Sequence, residues 1–147
     1  MKLVQRAYQM AIKDLEVNWK EISGNTSNPL ILECYYAVDG IKNPEMRDDS
    51  DTPWCSCYAN KKIQDAGGRG TRSPLARSWL AWGKESEGNV GDLVVLKRGD
   101  STWQGHVGFL HKKGLLYVEI LGGNQGNTVS IKKFLRANVL GYRTSKD

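Results

Sequence analysis

At 147 residues and 16.4 kDa the chain has room for one hydrophobic core and is too short for two full-sized domains. Its 39% hydrophobic and 25% charged residues suit a globular fold, and no apolar run reaches the roughly 20 residues of a membrane-spanning helix, so stable membrane insertion is not expected. The net charge of +5 is scattered rather than gathered into a Lys/Arg block, which favours an anionic partner without choosing between nucleic acid and a bacterial envelope.

The first segment, MKLVQRAYQMAIKDLEV, interrupts its apolar residues with Gln, Arg, Lys, Asp and Glu, and so reads as an amphipathic helix rather than a secretory signal. Val4, Tyr8, Ala11 and Leu15 fall at helical spacing and predict a helix over residues 2–16. The stretch SGNTS, residues 23–27, is a loop. Asn28-Pro29 then supplies an N-cap and a proline at the first helical position, and the helix LILECYYAV is expected to run to Asp39-Gly40.

Residues 43–53 are polar and read as loop, with Asp48, Asp49 and Asp51 close together. These acids suggest Ca²⁺, but their spacing matches no known oxygen-ligand loop, and solvated or capping carboxylates are the better reading. In TPWCSCYANKKIQDAGG, Asp51 or Thr52 can cap a helix that Gly67-Gly68 stops, and a short helix follows in SPLARSWLAWG. From Gly91 the texture changes to short β-rich runs, DLVVLK, HVGFLHK, LLYVEIL, NTVSI and VLGYR, separated by Gly, Asn and Asp. Helices followed by strands predict a single α+β domain over residues 1–147 with a mostly antiparallel sheet.

The three cysteines, Cys34, Cys55 and Cys57, are an odd set, and with only His106 and His111 beside them they make neither a disulfide framework nor a zinc site. No cofactor is expected. Cys55 lies at the start of a predicted helix, where unpaired N–H groups and the helix dipole favour a thiolate and can hold an oxyanion. Cys57, roughly 200° further round the helix, and Cys34, on the apolar side of the second helix, are core residues.

His106 opens a strand between Gly105 and Gly108, where backbone approach is easy, and is the candidate base for Cys55. His111, next to Lys112-Lys113, reads as solvated. For the residue that orients the imidazole, the next strand offers Asn124 and Glu119, and Asn124, freed by Gly122-Gly123, is favoured. Trp54 and Trp103 flank the pair in sequence and are candidates to line a substrate groove, and Tyr35 or Tyr36 is a candidate oxyanion donor.

Taken in series, TPWCSCYAN, GTRSPLARSWLAWG, GDLVVLKRG, GHVGFL, LGGNQGNTVSI and VLGYR resemble the cysteine peptidoglycan hydrolases of the CHAP and NlpC/P60 superfamily. The likeness is to the compact phage-type branch with a TPWC(S/A) nucleophile motif; EISGNTSNPLILECYYAV fits it too, so it spans nearly the whole chain. It implies a papain-like fold with Cys55 as nucleophile, His106 as base and Asn124 as third member. Cys57 departs from the pattern, standing where alanine is more familiar.

The implied function is hydrolysis of a peptidoglycan amide bond, as an endopeptidase or an N-acetylmuramoyl-L-alanine amidase. The expected setting is that of a phage endolysin, a monomer made in the host cytoplasm that reaches the wall after membrane permeabilisation; a secreted toxin is the other setting. The rival readings are a basic nucleic-acid-binding module, which leaves Cys55 and His106 unexplained, and a thiol hydrolase of the same fold acting on another amide.

Overall fold

Alternating apolar residues in the second half of the chain build one antiparallel sheet, and the amphipathic segments of the first half pack on its face. The computed structural model describes residues 1–22, 24, 27–49 and 52–147. Three helices are followed by six strands: α1 (Leu3–Asp14), α2 (Pro29–Tyr36), α3 (Cys55–Asp65), β1 (Lys84–Ser86), β2 (Leu93–Lys97), β3 (Gly105–Lys113), β4 (Tyr117–Gly122), β5 (Ser130–Leu135) and β6 (Val139–Thr144). The sheet order is β1-β6-β2-β3-β4-β5, and every neighbouring pair is antiparallel. The architecture is α+β, as the order of helices and strands predicts.

In α1, Val4, Ala7, Tyr8 and Ala11 form the buried stripe, whereas Leu15 lies past the last turn and is exposed. Asn28 caps α2 by accepting the Leu30 N–H at 3.0 Å, and its amide nitrogen donates to the Asn18 and Lys20 carbonyls. That helix stops at Tyr36, short of Gly40, because the Ala37 and Val38 N–H groups turn back three residues to the Cys34 and Tyr35 carbonyls. α3 starts after Trp54 with no side-chain cap; the Thr52 hydroxyl donates instead to the Asp48 carbonyl, and Asp51 lies outside the described residues. The stretch SPLARSWLAWG forms a 3₁₀ helix over Ala76–Ala81 rather than an α-helix.

Two strand expectations shift. The short β1 pairs with β6, although KES carries no apolar alternation. β5 begins at Ser130 rather than in NTVSI's first residues and continues through Lys132 and Lys133, which pair with Ile120 and Glu119.

Both faces of the central strands are buried. Leu93, Val95, Val107 and Phe109 face the helices and pack with Val4, Ile31, Cys57, Tyr58 and Ile63. On the other face Val94, Leu96, Leu110, Val118 and Ile120 form a second, smaller cluster closed by Phe134 of β5 and Val139 and Tyr142 of β6. Bulges at Val95/Leu96 and Leu110/Lys112 bend the strands that carry this cluster. Among the described residues, no helix is long and apolar enough to cross a membrane.

Candidate active site

The site forms where the start of α3 meets the start of β3. Cys55 is the first helical residue of α3, and its neighbouring amides precede the first helical hydrogen bond, Tyr58 N–H to the Trp54 carbonyl at 2.9 Å. The helix is held in place from behind. Ser56 Oγ donates to the Ser73 carbonyl at 2.7 Å and accepts the Trp79 indole N–H at 2.9 Å. Two residue pairs on, Asn60 bonds the Ser56 carbonyl and the Arg72 N–H. These buried bonds tie α3 to the segment whose Pro74, Leu75 and Ala76 border the thiol.

His106 hydrogen-bonds Cys55, and its Nε2 lies 2.8 Å from Gln125 Oε1. The Gln125 amide is oriented without ambiguity, because Nε2 donates to the carbonyls of Ile120 at 2.9 Å and Ser130 at 2.7 Å. Its oxygen must therefore face the ring, which makes His106 Nε2 the donor and leaves Nδ1 for the cysteine. Gln125 is itself pinned through its backbone, with N–H to the Thr128 carbonyl and carbonyl to Ser130 Oγ. Phe134 stacks on the imidazole with ring centroids 5.1 Å apart.

Electrostatics favour an ion pair. Burial raises the Cys55 thiol, but the charge and hydrogen bond of His106 and the Val107 backbone amide outweigh it, and the thiol ends below its ordinary range. Burial likewise lowers His106, yet the Cys55 charge and the bonds to Cys55 and Gln125 carry the ring above the ordinary imidazole value. The other thiols go the opposite way. Cys57 is fully buried and pushed up to about 12, mainly by desolvation, and Cys34, also fully buried, is raised well above the usual range. Of the three cysteines, only Cys55 has its thiolate favoured by its surroundings.

The orienting residue is a correction to the sequence reading. Gln125, not Asn124 or Glu119, contacts His106. Asn124 has a left-handed backbone, φ 58°, and borders the cavity beside the ring without that bond. Glu119 sits on β4 opposite Lys112 and Lys133, beyond the bulge. LGGNQGN places two amides side by side, and the turn geometry that selects the second is not written in that string.

The aromatic expectations divide. Trp54 is fully buried and stacks on Trp19, 6.4 Å between centroids, so it belongs to the core and not to a substrate groove. Trp103 is 61% exposed and borders the same small cavity as Cys55. Neither tyrosine serves as an oxyanion donor: Tyr35 donates its hydroxyl to Asp49 at 2.7 Å, and exposed Tyr36 donates to Glu45. His111 is not simply solvated, since its Nδ1 pairs with the Tyr8 hydroxyl at 2.7 Å.

Of the acidic group, Asp49 is fully buried and its carboxylate accepts from the Ile22 and Asn28 N–H groups and from Tyr35. Asp48 accepts from the Gly24 N–H. These carboxylates clasp the loop that leads into α2. Among the described residues no group of three or more His, Cys, Asp or Glu could hold a metal ion.

Two cavities flank the Cys55–His106 pair. One, of about 80 Å³, is bordered by Cys55, Pro53, Pro74, Leu75, Ala76 and Trp103. The other, of about 230 Å³, is bordered by His106, Arg98, Lys132, Asn124, Gln125 and Asn138, and Arg98 also borders the first. A thiolate–imidazolium pair between two clefts can attack a carbonyl and protonate a leaving group. Comparison with protein-family models and with curated proteins returned no match.

Proposed function

We propose that this protein is a cysteine peptidoglycan hydrolase of papain-like fold that cuts a wall amide bond, as an endopeptidase or an N-acetylmuramoyl-L-alanine amidase. The observation that carries the reading is the buried relay Cys55–His106–Gln125, with the thiol at a helix start and the imidazole on an adjacent strand. It agrees with the arrangement implied by the serial motifs around TPWC and GHVGFL.

In this mechanism the Cys55 thiolate attacks the amide carbon and the Sγ–C bond forms. The oxyanion is held by the Cys55 N–H at the start of α3. Imidazolium of His106 gives its proton to the nitrogen, the C–N bond breaks and the amine leaves. Water then attacks the thioester, passing a proton to His106. The S–C bond breaks, releasing the acid and restoring the ion pair.

The setting proposed is a phage endolysin acting as a monomer, made in the host cytoplasm and admitted to the wall when a separate protein permeabilises the membrane. Its net charge of +5 favours association with an anionic envelope. Incubation with purified peptidoglycan tests the activity. Soluble fragments are expected from the wild type and none from Cys55→Ala; no release by a folded wild type overturns the reading. Mass spectrometry of the fragments separates amidase from endopeptidase products.

A further inference from the structure

The two cavities beside the catalytic pair differ in chemistry. On the cysteine side the border is mostly apolar, with Pro53, Pro74, Leu75, Ala76 and the exposed face of Trp103. On the histidine side it carries Lys97, Arg98 and Lys132, the amides of Asn124, Gln125 and Asn138, and no carboxylate among the described residues.

Arg98 is the arginine that borders both of these cavities. Arg6, Arg77, Arg136 and Arg143 commit their guanidinium groups to backbone carbonyls, and Arg72 pairs with Asp39. The Arg98 side chain is exposed, borders both cavities and makes no hydrogen bond or ion pair among the described residues. It is close enough to act on both catalytic groups, its charge favouring the thiolate and disfavouring the imidazolium. Lys132 sits over the Phe134 ring, 5.7 Å from its centroid, and that ring stacks on His106. Two cations thus lie near the imidazole, Arg98 where the two cavities meet and Lys132 beside the ring that stacks on it.

The chemistry of the reaction assigns each cavity a part of the substrate. The acyl carbon bonds to Cys55, so the acyl residue lies on the cysteine side. His106 protonates the leaving nitrogen, so the amine lies on the histidine side. We propose that the cavity beside His106 binds a carboxylate carried next to the leaving nitrogen, with Arg98 and Lys132 as its partners, while the cleft beside Cys55 takes a small apolar acyl residue. This rests on the peptidoglycan hydrolase reading and sharpens it to an endopeptidase. The scissile bond joins an alanyl carbonyl to an amine that bears a free carboxylate. In a wall peptide that chemistry occurs within the stem, between alanine and an acidic residue, and at the cross-link, between alanine and a diamino acid.

The test digests two purified walls, one with these carboxylates free and one with them converted to carboxamides, and identifies the new termini by mass spectrometry. The wild type is expected to expose a C-terminal alanine and an amine with an adjacent carboxylate, and to cut the amidated wall about tenfold more slowly, the value of one charge-assisted contact. The masses of the amine fragments distinguish stem from cross-link.

In the Arg98→Gln/Lys132→Gln variant the preference is expected to fall toward parity, with the melting curve retained because both side chains are exposed. Lys132→Gln alone, which leaves the catalytic electrostatics of Arg98 in place, is expected to lose part of it. Equal wild-type rates on the two walls, or cleavage at the muramoyl–alanine bond, overturn this proposal while leaving the hydrolase reading intact. No fragment from either wall overturns both.

Discussion

Gln125 works by orientation. With both amide hydrogens given to carbonyls, its oxygen can only accept, so His106 is fixed with the proton on Nε2 and Nδ1 toward Cys55. Replacing Gln125 by Ala is expected to lower kcat roughly 100-fold, less than the ~10⁴-fold lost when a triad carboxylate is neutralised, because a neutral amide holds the ring without a full charge. The same bond helps raise His106, so its loss lowers the imidazole pKa and moves the alkaline limb of the pH profile to lower pH. Glu119→Gln, on β4 opposite two lysines, is expected to leave kcat and both limbs unchanged.

For the wild type, kcat/KM is expected to be bell-shaped. Activity rises as Cys55 ionises, at a pH below the usual thiol value of about 8.5, and falls as His106 loses its proton, at a pH above the usual imidazole value of about 6.5. The two limbs belong to the pair rather than to either residue alone. A profile with a single alkaline rise near the free thiol value would contradict the ion pair.

At the scale of elements, the candidate site depends on how closely the β4–β5 turn approaches α3. A Cβ on Gly123 would lie 2.7 Å from both the Trp54 ring and the Tyr58 Cβ, so only glycine allows the turn to sit there. Gly123→Ala is expected to displace Gln125 two residues on, cutting kcat while changing the melting temperature less than a core truncation does. The two tryptophans separate packing from binding. Trp54→Ala removes a fully buried ring and is expected to cost about 3–5 kcal/mol of stability in denaturant unfolding. Trp103→Ala, at the mouth of the cysteine cleft, is expected to raise KM with little change in melting temperature.

The Asp49 carboxylate joins three elements of chain, bonding Ile22, Asn28 and Tyr35 from a fully buried position. Asp49→Ala leaves those donors unsatisfied and is expected to destabilise by about 3 kcal/mol. Because the carboxylate is already used by the chain, excess EDTA is expected to leave the melting curve unchanged; a clear fall would restore the calcium reading of this loop.

Over the whole molecule, local patterns were legible wherever the physical cause is local. The α1 stripe, the Asn28-Pro29 start of α2, the glycine stop of α3 and the antiparallel strands all follow from spacing, capping and period, which neighbouring residues determine. So did the pairing of Cys55 with His106, since a helix-start thiol and a glycine-flanked strand histidine are visible in the chain itself. The choice among long-range partners was not legible. Whether Gln125 or Asn124 meets the ring depends on a left-handed residue in a turn, and Trp54 is drawn into the core by its stack on Trp19, whereas Trp103, in the β2–β3 connection, is left at the cleft. Tyr35 was withdrawn from the site by Asp49, a contact across 14 residues. What the sequence by itself determined is the three α-helices, the main antiparallel strands and the pairing of Cys55 with His106. The tertiary structure alone decided the orienting amide, the unequal cavities and the place of Arg98 between them, because each arises where segments far apart in the chain are packed to contact distance.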